Sequence, residues 1–243
     1  MKYTFLPVVL ILSGLLFIHV LPEETPVNNK NEVFVLATLY SRHNSTPVYN
    51  LDTLKKIISA IGPEVFVLDV NPKELKEQKV YPSKIEYPGV IFPLVNEMQR
   101  PAYAAEPPEP VFTEIVQAVI KARKGFDSTR ADESRLLQQY TGSLFNVLKI
   151  VWQTPADVNG QRTDKALAGK RVLEDQLIGP VDMDGDRRWT QNIVNVTLQA
   201  AKAHPGKRIL VLIGIENCHG VRAALRMQNG IQLIDMEQWL RRQ

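Results

Sequence analysis

Continuous apolar runs alternate with amphipathic stretches along this chain, and the alternation predicts strands followed by helices. The run EVFVLATLY, residues 32–40, is apolar and β-branched almost throughout, as expected of a strand covered on both faces. LDTLKKIISAIG then places Leu51, Leu54, Ile57, Ile58 and Ile61 at helical spacing and stops at Gly62. EVFVLDV, residues 64–70, reads as a second buried strand, so strand, helix and strand form a βαβ unit whose crossover makes the strands parallel. GVIFPLVNEM reads as a short helix kinked at Pro93, and PAYAAE as a third strand ending at Glu106. PVFTEIVQAVIKARKGF and ADESRLLQQYTGSLFNVLKIVW are amphipathic helices, the second repeating Leu136, Leu137, Tyr140, Leu144, Val147, Leu148 and Val151 along one face. Residues 153–185, rich in Gly, Asp and Pro, read as a loop. The last third repeats the opening pattern: helix RRWTQNIVNVTLQAAKAH, a stop at Pro205-Gly206, strand RILVLIG, helix CHGVRAALRMQ and strand IQLID.

This order predicts an α/β fold: a mostly parallel central sheet flanked by helices, with a helical insertion in the middle of the chain. One domain spans residues 32–243. In such sheets ligands bind beyond the carboxyl ends of the strands. That rule selects Tyr40, Arg42 and His43 after the first strand, Asp69 and Asn71 after the second, Glu106 after the third, and Glu216, Asn217 and His219 after the fourth. Asn217 is expected to cap the helix that follows, with Gly214 allowing close backbone approach.

Composition narrows the partners. A formal charge of +3 over 243 residues, with no basic cluster interleaved with aromatics, argues against nucleic acid. A single cysteine forms no internal disulfide, and no Cys/His set has structural zinc spacing, so neither metal nor cofactor is expected. At the N-terminus, Lys2, an apolar run from Phe5 to Leu21, and then Glu23-Glu24 have the layout of an export signal. No A-x-A-like cleavage site follows, so the expectation is an exported domain held at the membrane by segment 1–21 and joined through linker 22–31. A buried N-terminal helix is the alternative.

Dinucleotide, P-loop and serine-hydrolase motifs are absent. DMDGD, residues 182–186, has its glycine and its twelfth residue wrong for a calcium loop, and Asp182, Asp184 and Asp186 fit better as caps of the next helix. Cys218 and His219 are sequence neighbours whose side chains diverge on a helix, which favours a buried structural thiol over a nucleophilic pair.

LATLYSRH, VFVLDV, DRRWTQNI and HPGKRILVLIGIEN together resemble, in order, the layout of the TraB, Tiki and ChaN-like superfamily, which also contains the erythromycin esterases. The resemblance implies a first strand ending in G-x-x-H, a second ending in an acid and a late strand followed again by G-x-x-H. Here those places hold Ala37 to Tyr40, Asp69 and Gly214 to Asn217, so both family histidines are replaced. Tyr40 and Asn217 do not replace an imidazole as ordinary metal ligand or base. Two readings follow. One is a catalytically silent relative that binds a small molecule or peptide in the crevice, with Tyr40, Arg42, Glu106 and Asn217 as ligand contacts. The other is a hydrolase-like enzyme with a rebuilt site of His43, Asp69, Glu216, His219 and Arg187.

Overall fold

The computed structural model describes residues 30–243; the export or anchor segment 1–21 and nearly all of the linker lie outside the described residues. Among the described residues no helix is long and apolar enough to cross a membrane.

The apolar runs are the middle of a sheet. Strand β1 (Asn31–Thr38) is buried except at Glu32, β2 (Val65–Leu68) is buried throughout, and β4 (Arg208–Gly214) is exposed only at Arg208. β3 (Ala102–Ala104) and β5 (Ile231–Leu233) are short edges. All pairings are parallel, in the order β3-β2-β4-β1-β5. β1 leads through α1 (Leu51–Ile61) towards β2, whereas β4 leads through α9 (Ile215–Arg226) to β5, the other way across the sheet. Connections leaving two adjacent strands in opposite directions open a crevice at their carboxyl ends. The register sets Thr38 opposite Gly214 there, so the turns after β1 and β4 begin side by side.

Local sequence explains most boundaries. Asn50 accepts the Thr53 N–H at the start of α1, and Gly62, with φ of 58°, ends it in the left-handed conformation open to glycine. After α2 (Pro72–Glu77) the chain enters a π-helical turn, Tyr87–Ile91, that runs directly into α3 (Phe92–Met98). The expected kink at Pro93 is therefore a change of helical pitch, and Pro93 sits in the first turn of α3, where its missing N–H is harmless.

The helical insertion is larger than the sequence pattern indicates. It comprises α4 (Val111–Thr129), α5 (Ala131–Val151), α6 (Pro155–Val158), α7 (Gln161–Ile178) and α8 (Pro180–Ala203). Residues 153–185 are thus mainly helical, not a loop. Pro155 and Pro180 begin helices instead of breaking them, and Gly160 and Gly179 flank α7. α7 is held by charge: Lys170 with Glu174 and Arg171 with Asp175 are i,i+4 pairs, while few apolar residues mark its inner face. Because α8 begins at Pro180, Asp182, Asp184 and Asp186 lie within its first two turns and are not caps. α9 likewise begins at Ile215, so Asn217 is its third residue and caps nothing; Gly214 is the N-cap. A last short helix, α10 (Met236–Leu240), closes the chain.

Candidate functional site

Two polar regions meet where β1 and β4 end. The first is buried at the strand ends. Tyr40 follows β1 with φ of 52°, a conformation rarely adopted by a bulky side chain and characteristic of constrained sites. Its hydroxyl donates to Asp69 Oδ2 at 2.8 Å, and the Gly214 N–H donates to the same oxygen at 3.3 Å. Position 214 has to be glycine, because a Cβ there would collide with the Tyr40 hydroxyl. Lys84 Nζ donates to the Asp69 carbonyl at 2.5 Å and to Glu106 Oε1 at 2.6 Å, which ties the ends of β2 and β3 together. Glu86, two residues on and at the mouth of the π-helical turn, is 0% exposed.

The electrostatics of this cluster are unbalanced. Both Glu86 oxygens, Asp69 Oδ1 and Thr38 Oγ1 have no hydrogen-bond partner among the described residues. Burial disfavours the charged carboxylate, and it raises Glu86 and Glu106 to about 7; the polar groups of the residue's own backbone and the nearby Thr38 hydroxyl only partly oppose the shift at Glu86, and Lys84 only partly opposes it at Glu106. Burial also works against the charge on Lys84, but Asp69 and Glu106 more than offset it and hold the ammonium above its ordinary pKa. Burial, then the charge on Asp69, raises the Tyr40 phenol, so at neutral pH it is a hydrogen-bond donor.

The second region is an open cavity of about 560 Å³ between the insertion and the start of α9. Glu216 and Asn217 form its floor; Arg123 from α4, Lys170, Arg171 and Glu174 from α7, and Asp186 from α8 line its sides. Lys170 lies 2.7 Å from Glu216 and 2.9 Å from Glu174. Arg123 engages Asp182 at 2.7 Å and Arg171 also pairs with Asp182, a carboxylate with almost no exposure. Phe126, Leu137, Leu167 and Ile178 supply apolar wall. The cavity's volume falls within the range of small-molecule sites, although its lining is mainly charged and polar.

The structure sorts the sequence candidates. Tyr40, Asp69 and Glu106 come together in the buried cluster, and Glu216 and Asn217 in the cavity. His43 joins neither. Its Nε2 accepts the Leu39 N–H at 3.0 Å, its Nδ1 lies 2.7 Å from the Tyr49 carbonyl, and burial lowers its pKa, so the ring is a structural strut for the turn after β1. Arg42 stacks 4.1 Å from the Phe145 ring centroid. Arg187 is exposed and pairs with Asp184 one turn back along α8. His219 sits inside α9 with Nδ1 unpartnered and is not a wall of the cavity. The rebuilt site of His43, Asp69, Glu216, His219 and Arg187 is therefore not assembled. Cys218 is buried, with Sγ near the Ile213 and Gly214 carbonyls and its thiol pushed up to about 12, which leaves it unreactive.

Lys84, Glu86, Lys170, Arg171 and Glu174 were not singled out in the sequence. Lys84 and Glu86 lie in SKIEYPG, a polar stretch with no periodicity that separates a buried acid from an exposed one. The α7 residues belong to a helix whose polar faces hide its period, although the i,i+4 pairing of Lys170 with Glu174 was available as a signal. Among the described residues no group of three or more His, Cys, Asp or Glu side chains could hold a metal ion. No protein-family model matches the chain, and neither a curated protein nor a solved structure matches it.

Proposed function

We propose that this domain binds a small molecule in the cavity beneath the helical insertion, as a divergent, catalytically silent relative of the TraB, Tiki and ChaN-like superfamily. One observation carries the reading. The cavity opens at the carboxyl end of β4, where Glu216 and Asn217 form its floor, and its walls contain no histidine. The family resemblance is supported by position: Tyr40 and Asp69, which stand where relatives carry a histidine and an acid, are hydrogen-bonded partners. The layout of Lys2, the apolar run and Glu23-Glu24 supports an exported domain with a membrane-held N-terminus. Full-length protein recovered from the cytosol after cell fractionation would end that part of the reading.

The test of binding is a metabolite library screened by thermal shift against the purified protein, followed by calorimetry of the hits. Glu216→Ala, which removes a half-exposed wall residue, should weaken hits at least about tenfold while leaving the unfolding temperature within a few degrees. A library in which nothing binds, or hits indifferent to Glu216→Ala, would sink the reading.

A hydrolase-like activity has one observation in its favour. Burial raises Glu86 and Glu106 to about 7, the range in which a carboxyl can exchange protons at neutral pH, beside a Tyr40 backbone in the left-handed conformation. That alternative rests on acid and phenol groups and does not involve His43. Ester or amide hydrolysis by the purified protein that disappears in Glu86→Gln would favour it over silent binding.

A further inference from the structure

A second cavity of about 240 Å³ adjoins the first, and the two share Arg123, Arg171, Asp186 and Asn217 as walls. Beyond those four residues their character differs. The smaller lobe is walled by Ile115, Val116, Val119 and Ile120 of α4 and by Trp189, Gly185 and the buried, arginine-paired Asp182 of α8, whereas the larger carries most of the charge. The site is a polar chamber with a largely apolar side arm, and Asp186 stands at the junction with Asn217 and the paired Arg123 and Arg171.

The charge in the chamber is not neutral. Each of the three cations on its wall already has carboxylate partners: Lys170 has Glu174 and Glu216, Arg123 has Asp182 and Glu174, and Arg171 has Asp175, Asp182 and Glu174. Asp186, by contrast, makes no ion pair among the described residues, and Asp127, also in the lining, accepts only the Ser134 hydroxyl among them. Acids thus exceed bases on and behind the wall, and the unpaired carboxylate faces both lobes. An anionic ligand would find every arginine and lysine engaged and would meet Asp186 as a like charge.

Resting on the ligand-binding reading, we infer that the ligand is an amphipathic organic cation: an ammonium or guanidinium group held by Asp186 at the junction, with an aliphatic or aromatic arm in the lobe between α4 and α8. The arm is bound by burial against Ile115, Val119 and Trp189, and the head by a charge pair that the fold leaves open.

The test uses one hydrocarbon with three heads. n-Octylammonium, n-octanoate and n-octanol are titrated into the full-length protein by calorimetry at neutral pH, with methylammonium as the head without an arm. n-Octylammonium should bind at least about tenfold more tightly than any of the other three. Asp186→Asn, nearly isosteric and partly solvent-facing, should remove most of that preference while leaving n-octanol binding unchanged. Octanoate or octanol binding as tightly as the amine, or an amine preference that survives Asp186→Asn, would overturn the cation assignment while the cavity remained a binding site. Methylammonium binding as tightly as n-octylammonium would overturn the role of the apolar arm. No binding of any probe overturns the inference, and only an empty library screen as well would remove the binding reading beneath it.

Discussion

The buried cluster at the strand ends and the cavity beneath the insertion adjoin along β4 and α9, yet they deal with charge in opposite ways. In the cluster there are three acids, Asp69, Glu86 and Glu106, and among the described residues only Glu106 is within ion-pair distance of a cation, Lys84. Burial raises Glu86 and Glu106 to about 7, which favours their protonated forms. In the cavity, interleaved arginine, lysine and carboxylate side chains let most charges persist by pairing, at the cost of an open volume between the helices. Water decides the difference: a carboxylate that loses solvent without gaining a cation is cheaper protonated, whereas one that gains a cation keeps its charge. The cluster therefore answers to pH, whereas most charges of the cavity are held by their partners.

The largest expected effect is on Lys84, the cluster's one cation among the described residues. Lys84→Met removes one half of a buried pair and leaves Glu106 and the Asp69 carbonyl without their donor; it should cost about 3–5 kcal/mol in urea unfolding. A loss below about 1 kcal/mol would show that Glu106 is already neutral, and the contrast with the cavity would then be complete without Lys84. Next comes pH. A carboxyl whose folded pKa is raised, here from 4.5 to about 7 for Glu86, binds a proton more tightly in the folded state, so it adds stability at low pH that is lost as pH rises between those values. His43, lowered by burial, works the other way below its ordinary 6.5, so the comparison to measure is the wild type minus Glu86→Gln. That difference should fall by about 2 kcal/mol between the two pH limits, and a flat difference would mean that Glu86 is not desolvated. The smallest effect belongs outside both regions. Arg187→Ala breaks an exposed i,i+3 pair and should change stability by less than about 0.5 kcal/mol, with n-octylammonium affinity unaltered.

What the sequence made legible follows the same division. β1, β2 and β4 are uninterrupted apolar runs because both faces are covered, and the acids and turns directly after them fall where parallel-sheet topology puts ligands. Asp69, Glu106, Glu216 and Asn217 were found by that rule. The remainder is tertiary. Whether His43 points into the crevice or back onto its own turn depends on two backbone groups, the Leu39 N–H and the Tyr49 carbonyl, whose positions no local pattern announces. α7 read as loop because its stability comes from ion pairs to α4, α8 and α9 and not from an apolar stripe. Its charged wall was hidden with it.

The two outermost strands carry one more consequence. β3 and β5 are only three residues long, and Pro101, which lacks an N–H, stands just before β3. A long apolar edge would offer a ladder of free N–H and C=O groups to another chain, and the middle of this sheet is apolar enough to make such templating costly to the cell. Edges this short give an incoming strand too little to grip, so the hydrophobic interior that builds the fold is kept from becoming a seed for aggregation.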